Sequence, residues 1–187
     1  MKKILLSILL ISSFLTLSSC GDKKGGRNDL TEKEENIGNK LIIKVQGVFQ
    51  KNDHFQLFYS NDSNFLEENS IRIPVYGQTI VQDVIFELPE GKKPQNLRLD
   101  LGENKEQTTV TIKDISLEFN GEKIENLPEK FRELFSDTYF TVYNPITLEY
   151  ELRLNDQNTF DPMLISTDKL KKSLNKLYNE SKQNQSK

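Results

Sequence analysis

The stretch Asn96-Leu97-Arg98-Leu99-Asp100-Leu101 alternates apolar and polar residues more regularly than the rest of the chain. Successive side chains of a β-strand point to opposite faces of a sheet, so the three leucines are predicted to share one face and Arg98 and Asp100 the other. A leucine face opposite a charged face is typical of an antiparallel sheet that covers a core on one side. The stretch therefore predicts a half-buried strand and a mainly β fold.

Segments of similar composition lie on both sides of this strand. Rich in apolar and β-branched residues and bounded by turn residues, they cover residues 41–49, 54–60, 71–76, 79–88, 108–119, 139–143 and 147–154. Residues 71–76 are predicted at a sheet edge, because Pro74 lacks the N–H that a central strand donates. Short strands separated by frequent turns predict a single antiparallel β-sandwich, jelly-roll or immunoglobulin-like, over residues 41–165.

Local patterns specify several connections. The first two segments are interpreted as a hairpin through the turn Lys51-Asn52-Asp53. The apolar alternation of residues 108–119 changes phase near Lys113-Asp114, which predicts a β-bulge. The dipeptide Asn120-Gly121 after it predicts a tight turn.

The alternation of apolar residues also assigns side chains to faces in two further strands. Phe58 lies on the face opposite Phe55 and Leu57, so either that face is partly covered or the alternation is imperfect. The alternating set of the 147–154 strand, which is predicted to face the core, is Leu148, Tyr150, Leu152 and Leu154.

Two segments have helical spacing. Residues 128–135 predict a short helix. Apolar residues after Thr167 recur on one helical stripe, and these residues are Leu170, Leu174, Leu177 and Tyr178. Thr167 or Ser166 is predicted to cap this C-terminal amphipathic helix, which is expected to fray beyond Glu180 within the 166–187 region. Such a stripe more often packs on its own domain than docks a partner.

Residues 1–19 are predicted to be a signal peptide. Lys2 and Lys3 precede the apolar residues 4–11, a stretch of secretory-signal length. A membrane-spanning helix needs about 20 apolar residues, and serines and a threonine interrupt this stretch well before that length. We therefore expect export and cleavage rather than a membrane span.

The end of this segment, Leu17-Ser18-Ser19-Cys20, resembles the lipobox of bacterial lipoproteins. The resemblance implies that Cys20, the only cysteine of the chain, receives lipid and becomes the first mature residue. Several acyl chains on one residue would hold the protein on a membrane without spanning it. In lipoproteins of enteric bacteria, an aspartate directly after the lipidated cysteine is a signal for retention in the inner membrane. This chain has Gly21 at that position, which favours the outer membrane. Residues 20–40 are polar and predict a flexible tether that extends about 25 Å.

The composition argues against several classes of function. Removal of residues 1–19 would take two of the 25 basic residues and none of the 28 acidic ones, which leaves a net charge of −5. Such an acidic chain lacks the basic surface that nucleic acids require. His54, the only histidine, sits next to a predicted turn and is interpreted as a surface residue rather than a catalyst. Without a second histidine or a mature free thiol, histidine-based triads and the usual zinc sites are not expected. We expect a non-enzymatic protein without a cofactor.

Four segments together resemble a β-sandwich module of bacterial glycan-related membrane proteins and glycosyltransferases. They are Phe55-Gln56-Leu57-Phe58-Tyr59, residues 65–71, Leu97-Arg98-Leu99-Asp100-Leu101-Gly102 and residues 112–117. The resemblance covers about a third of the chain and implies a carbohydrate-binding type of sandwich. It assigns no functional residues.

The candidate ligand-binding residues are Tyr59, Asp62, Glu67, Glu68, Arg98 and Asp100. Exposed tyrosines stack on sugar rings, and those considered besides Tyr59 are Tyr76, Tyr139, Tyr143 and Tyr150, although packing explains most of them. The oxygen-rich loop 61–68 has ligands suitable for calcium, but a polar turn has the same composition. The carboxylate pairs Glu67-Glu68 and Asp100 with Glu103 leave a glycan-active enzyme as an alternative. A scaffold or assembly factor that binds an envelope protein is the other alternative.

Overall fold

The computed structural model describes residues 39–124 and 130–184. The predicted signal peptide, Cys20 and most of the tether lie outside the described residues. The described residues form two antiparallel sheets over one apolar core, so the predicted mainly β sandwich with a C-terminal helix is confirmed. Among them, no helix is long and apolar enough to cross a bilayer.

The strands are β1 (Leu41–Phe49), β2 (Asp53–Ser60), β3 (Ser70–Val75), β4 (Gln78–Glu87), β5 (Asn96–Asp100), β6 (Thr109–Phe119), β7 (Glu122–Ile124), β8 (Phe135–Ser136), β9 (Thr141–Asn144), β10 (Glu149–Leu152) and β11 (Met163–Ser166). The helices are α1 (Phe131–Leu134) and α2 (Asp168–Asn184). The first sheet has the order β4-β1-β6-β10-β9, with β7 paired to β6. The second sheet has the order β3-β2-β5-β11-β8.

The core forms between the inward faces of the two sheets. As predicted, Leu97, Leu99 and Leu101 are fully buried, whereas Arg98 and Asp100 lie on the outer face and stay partly exposed. Strand β1 contributes every second side chain in the same way, from Leu41 to Phe49. A buried Leu or Phe side chain contributes about 1.5 to 3 kcal/mol relative to an exposed one, so these two alternating strands supply a large part of the stabilisation.

The predicted β1–β2 hairpin is wrong. Strand β1 pairs with β4 and β6, and β2 pairs with β3 and β5 in the other sheet. The turn at Lys51-Asn52 therefore carries the chain across the core, where the Phe49 and Phe55 rings meet edge to face at 4.7 Å. Turn residues specify a reversal of direction, but they do not specify whether the chain stays in the same sheet.

Both predictions for β6 are confirmed. Gln46 pairs with Asp114 and Gly47 with Ile112, so Lys113 is the extra residue of a bulge. Asn120 and Gly121 both have positive φ, 53° and 80°, as the two-residue turn between Phe119 and Glu122 requires.

The edge strands β3 and β4 lie in different sheets and follow one another in the chain. The predicted edge position of the Pro74 strand is confirmed in β3. Strand β4 carries a wide irregularity, since Gly47 pairs with Gln82 but Phe49 pairs with Gln78. Residues 79–81 thus face Val48 alone, and within this bulge Ile80 and Val81 are exposed.

The chain after β7 departs most from the predicted elements. Of the four residues predicted to face the core in the 147–154 segment, Tyr150 and Leu152 are buried, whereas the prediction is wrong for Leu148 and Leu154, which are exposed. Strand β10 covers only four residues, so both leucines lie outside it. Leu148 belongs to the preceding turn and has a positive φ of 61°. The helix predicted over residues 128–135 is limited to α1 in the described part, while its N-terminal positions lie outside it. Strands β7, β8 and β11 were not predicted, because each has only two to four residues.

Helix α2 packs its predicted apolar stripe on the core, where Leu170 and Leu174 are fully buried. The Thr167 hydroxyl accepts a hydrogen bond from the Leu170 N–H at 3.4 Å, which confirms Thr167 as a capping residue. Helix α2 continues past Glu180 to Asn184 with Ser181 buried, and the fraying expected there stays a prediction. The Asn120 amide donates to the Ser181 hydroxyl at 3.5 Å, which extends the contact with the sandwich beyond the last apolar residue of the stripe.

Candidate functional site

A groove opens at the end of the sandwich where β1 ends and β2 begins. It has a volume of about 520 Å³. Its walls come from the start of β2, the end of β3 and the loop after β5, and the lining residues are Asn52, Asp53, His54, Pro74, Val75, Tyr76, Glu103 and Asn104.

Asp53 fixes the first wall of the groove. Its carboxylate accepts backbone N–H bonds from Glu103 at 3.0 Å and from Asn104 at 2.9 Å, and another from His54 at 2.7 Å. The loop can approach Asp53 this closely because Gly102 adopts φ 108° and has no side chain. A Cβ at Gly102 would lie 2.1 Å from the Asp53 carboxylate.

The second wall is held by two side-chain amides. The Gln82 amide accepts from the backbone N–H of Tyr76 at 3.1 Å and donates to the Tyr76 carbonyl at 2.7 Å. The Asn52 side-chain oxygen accepts the Gly77 N–H at 2.8 Å. The backbone of Tyr76 is therefore fixed, while its ring is 60% exposed.

The functional groups of the groove remain available to a ligand. Within the described part of the chain, neither the His54 imidazole nor the Tyr76 hydroxyl has a hydrogen-bond partner. Glu103 forms an ion pair with Arg72 at 2.9 Å, but its side chain is 72% exposed. An exposed aromatic ring beside amide, imidazole and carboxylate groups combines apolar and directional contacts in one concave surface.

The second polar cluster lies on the outer face of the second sheet. The Arg98 guanidinium donates two hydrogen bonds to Asp100, at 2.7 and 2.8 Å, and a third to Asp161 at 3.3 Å. It also lies 5.0 Å from the centre of the Phe58 ring. This contact explains why Phe58 is buried although it faces away from the core: its face is partly covered, the first of the two alternatives left by the sequence.

A hydrogen-bond network centred on the Gln56 amide continues this cluster. The Gln56 amide donates to Glu67 at 2.7 Å and to the Ser70 hydroxyl at 2.9 Å. Burial raises the pKa of Asp100, and the hydrogen bonds from Arg98 oppose that change. The structure thus brings Glu67, Arg98 and Asp100 together, but each already has a partner within the protein.

The remaining candidates lie apart from one another. Tyr59 is buried in the core, so its ring offers no open face for a sugar. The Asp62 carboxylate closes a turn with the Ser60 hydroxyl and the Asn64 N–H, and these hydrogen bonds lower its pKa. Glu68 is exposed in the 3₁₀ turn Glu67–Asn69. In the part of the chain described, no three acidic, histidine or cysteine side chains converge as metal ligands.

Of the other tyrosines considered, Tyr76 and Tyr139 are exposed and Tyr150 is buried against Tyr143. Sequence reasoning did not assign Asn52, Asp53 or Asn104 to a site. The signals that mark them are the turn Lys51-Asn52-Asp53, which was interpreted only as a chain reversal, and Gly102, which was named only as part of a resembling segment.

Comparison of the chain with known protein families, with curated proteins and with solved structures gives no significant match. The two family resemblances of the sequence therefore stay predictions, and the function is inferred from the geometry of the groove.

Proposed function

We propose that the chain is a lipid-anchored, non-enzymatic protein of the cell envelope. Its β-sandwich binds a glycan in the groove at the end where β1 leads into β2. The observation that carries this proposal is the exposed Tyr76 ring in one groove with the exposed His54 imidazole and the Glu103 carboxylate, which is largely exposed although it pairs with Arg72. A volume of about 520 Å³ lies within the range of about 300 to 1,000 Å³ usual for small-ligand sites.

The direction of β1 supports the same function. The chain enters this strand at Leu41 and reaches the groove end at Phe49, and nine strand residues extend about 27 Å. The groove is therefore at the opposite end of the sandwich from Asn39 and Lys40, the described residues that precede β1. A protein held through lipid on Cys20 would present the groove away from the membrane.

A protein partner is the second candidate, because exposed apolar residues lie in the edge strand that follows Tyr76. Ile80 and Val81 are 65% and 44% exposed in the β4 bulge. Crosslinking in cells from Ile80 should capture one dominant protein if this function is correct. A diffuse set of products would exclude it.

The glycan proposal is tested with the full chain carrying Cys20→Ser, which cannot be acylated and is purified without detergent. We expect a glycan array to show saturable binding, and Tyr76→Ala to weaken it at least tenfold by removing the stacking ring. Tyr139→Ala is the matched control, since Tyr139 is 64% exposed but lies outside the groove. Equal losses in both variants, or no bound glycan at all, would refute the groove as a sugar site.

The anchor is tested separately. We expect mass spectrometry of the mature N-terminal peptide to show an acylated Cys20, and Cys20→Ser to move the protein from the membrane fraction to the soluble fraction. A soluble wild-type protein cut at another position would refute the anchor and leave the groove proposal intact.

A further inference from the structure

A second cleft lies at the end of the sandwich opposite the groove. It has a volume of about 180 Å³. It is formed by the end of β2, the end of the 3₁₀ turn and the loop before β5, and the residues that matter to its chemistry are Ser60, Asn61, Asn69, Lys92 and Lys93.

The loop that carries the two lysines is held at three points. The Gly91 N–H donates to the Asn39 carbonyl at 2.8 Å, and the Gln95 N–H donates to the Ser60 carbonyl at 3.1 Å. The Tyr178 hydroxyl of α2 donates to the Pro94 carbonyl at 3.0 Å. The cleft is thus a fixed feature of the fold.

Its positive charge is not neutralised by the protein. Among the described residues, neither Lys92 nor Lys93 forms an ion pair, although many other lysines do, Lys51 with Glu106 at 3.2 Å being an example. The Lys93 ammonium instead lies 4.8 Å from the centre of the Phe119 ring, a contact that positions the cation and leaves its charge in place. The Asp62 carboxylate accepts hydrogen bonds from the Ser60 hydroxyl and the Asn64 N–H in its own turn, and it is not one of the residues that line the cleft.

Neutral donors lie beside the two cations. The side-chain amides of Asn61 and Asn69 line the cleft, and within the described range they have no hydrogen-bond partner. Two ammonium groups with two amide donors match a tetrahedral anion, which accepts several charge-assisted hydrogen bonds. The chain as a whole is negative, with net charge −3, so attraction of an anion here is local.

The position of the cleft indicates the source of the anion. The Asn39 carbonyl is hydrogen-bonded to the N–H of Gly91, the residue before Lys92, so the described chain begins at this end of the sandwich. We propose that the cleft binds a phosphate group, and that this phosphate belongs to a lipid headgroup of the membrane that carries the chain. The proposal depends on the lipid anchor proposed above, whereas it is independent of the glycan groove.

The first experiment uses the full chain with Cys20→Ser and glycerol phosphate as the probe. We expect saturable NMR shifts of the Asn61, Asn69, Lys92 and Lys93 amides. A second variant adds Lys92→Glu and Lys93→Gln and should lose these shifts while keeping the dispersed spectrum of a folded protein. Absence of saturable shifts in the parent protein would overturn the phosphate site.

The second experiment measures binding of the same proteins to vesicles of phosphatidylglycerol and of phosphatidylcholine. We expect the double variant to bind phosphatidylglycerol vesicles at least fivefold more weakly than the parent. The matched control is Lys113→Glu, which changes an exposed lysine of the β6 bulge. An equal loss in the control would show non-specific attraction, and saturable shifts without vesicle binding would assign a soluble phosphate ester; either result overturns the lipid source.

These experiments are separable from those on the proposed function. They use a chain that carries no acyl group and samples that contain no glycan. Failure of Cys20 acylation would remove the reason for choosing a lipid source, while the glycerol phosphate result would still decide whether the cleft binds phosphate.

Discussion

The outer face of the second sheet and the groove at the far end of the sandwich both gather polar side chains, yet they use them in opposite ways. On the sheet face, Arg98, Asp100 and Asp161 bind one another. In the groove, the Tyr76 and His54 side chains converge without hydrogen-bond partners in the part of the chain described. A conspicuous charged pair can thus complete the fold, whereas polar side chains without partners in the protein are better suited to bind a ligand.

The largest expected difference between the two regions is in stability. We expect Arg98→Met to lower the free energy of unfolding by about 2 to 3 kcal/mol, because it leaves the Asp100 carboxylate partly buried without its cation. The control His54→Ala should cost less than about 0.5 kcal/mol, since its side chain is exposed. Urea denaturation measures both. Similar losses of unfolding free energy in the two variants would mean that the ion pairs of the sheet face contribute no more to stability than the groove side chains do.

The next effect concerns how the groove is built. We expect Gly102→Ala to cost about 1 to 3 kcal/mol, because φ 108° strains a residue with a side chain and the new Cβ meets Asp53. Gly91→Ala is the matched control, since Gly91 also has a positive φ, 77°, but has open space around it. Thermal denaturation should show the larger loss at Gly102, and glycan binding should fall only there. An equal loss at both glycines would mean that the approach to Asp53 is unimportant.

The smallest effect is a difference in titration. Burial raises the pKa of Asp100, so the folded protein holds the Asp100 proton more tightly than the unfolded chain does. The stability that Asp100 contributes is therefore complete below pH 3.8 and is lost as the pH rises through the raised pKa. Hydrogen bonds lower the pKa of Asp62, so its contribution is lost as the pH falls below 3.8 through the lowered pKa. Carboxyl NMR titration should find Asp100 above 3.8 and Asp62 below it. The reverse order would contradict the closed environment of Asp100.

Much of the fold could be predicted because the apolar side chains of β1, β5 and β6 recur at every second position, with one change of phase in β6. The leucines of β5, Leu101 just after it and the phase change at Lys113 depend only on side-chain periodicity, which the sequence displays directly. The link from β1 to β2 could not be predicted, because pairing across a core depends on contacts far apart in the chain. Short strands such as β8 and β11 contain too few residues to show a period.

The site was harder to predict than the fold. Arg98 and Asp100 attracted attention because charges inside an alternating strand are conspicuous, and the structure does bring them together with Glu67. Asp53 and Asn104 lie about 50 positions apart, and the Asp53 carboxylate accepts a hydrogen bond from the Asn104 backbone N–H. The local sequence does not predict this contact, since Asp and Asn are ordinary turn residues.

The bulge in β4 limits pairing between the edge strands of neighbouring copies of the protein. An unpaired edge strand can recruit another chain by continuing its ladder, and the proposed lipid anchor would bring copies of the protein together on one surface. Residues 79–81 interrupt the regular spacing of the β4 backbone opposite Val48. A second sheet could match the outer edge of β4 over only part of its length. We therefore expect the bulge to protect densely packed copies from joining edge to edge into fibres, even though it exposes two apolar side chains.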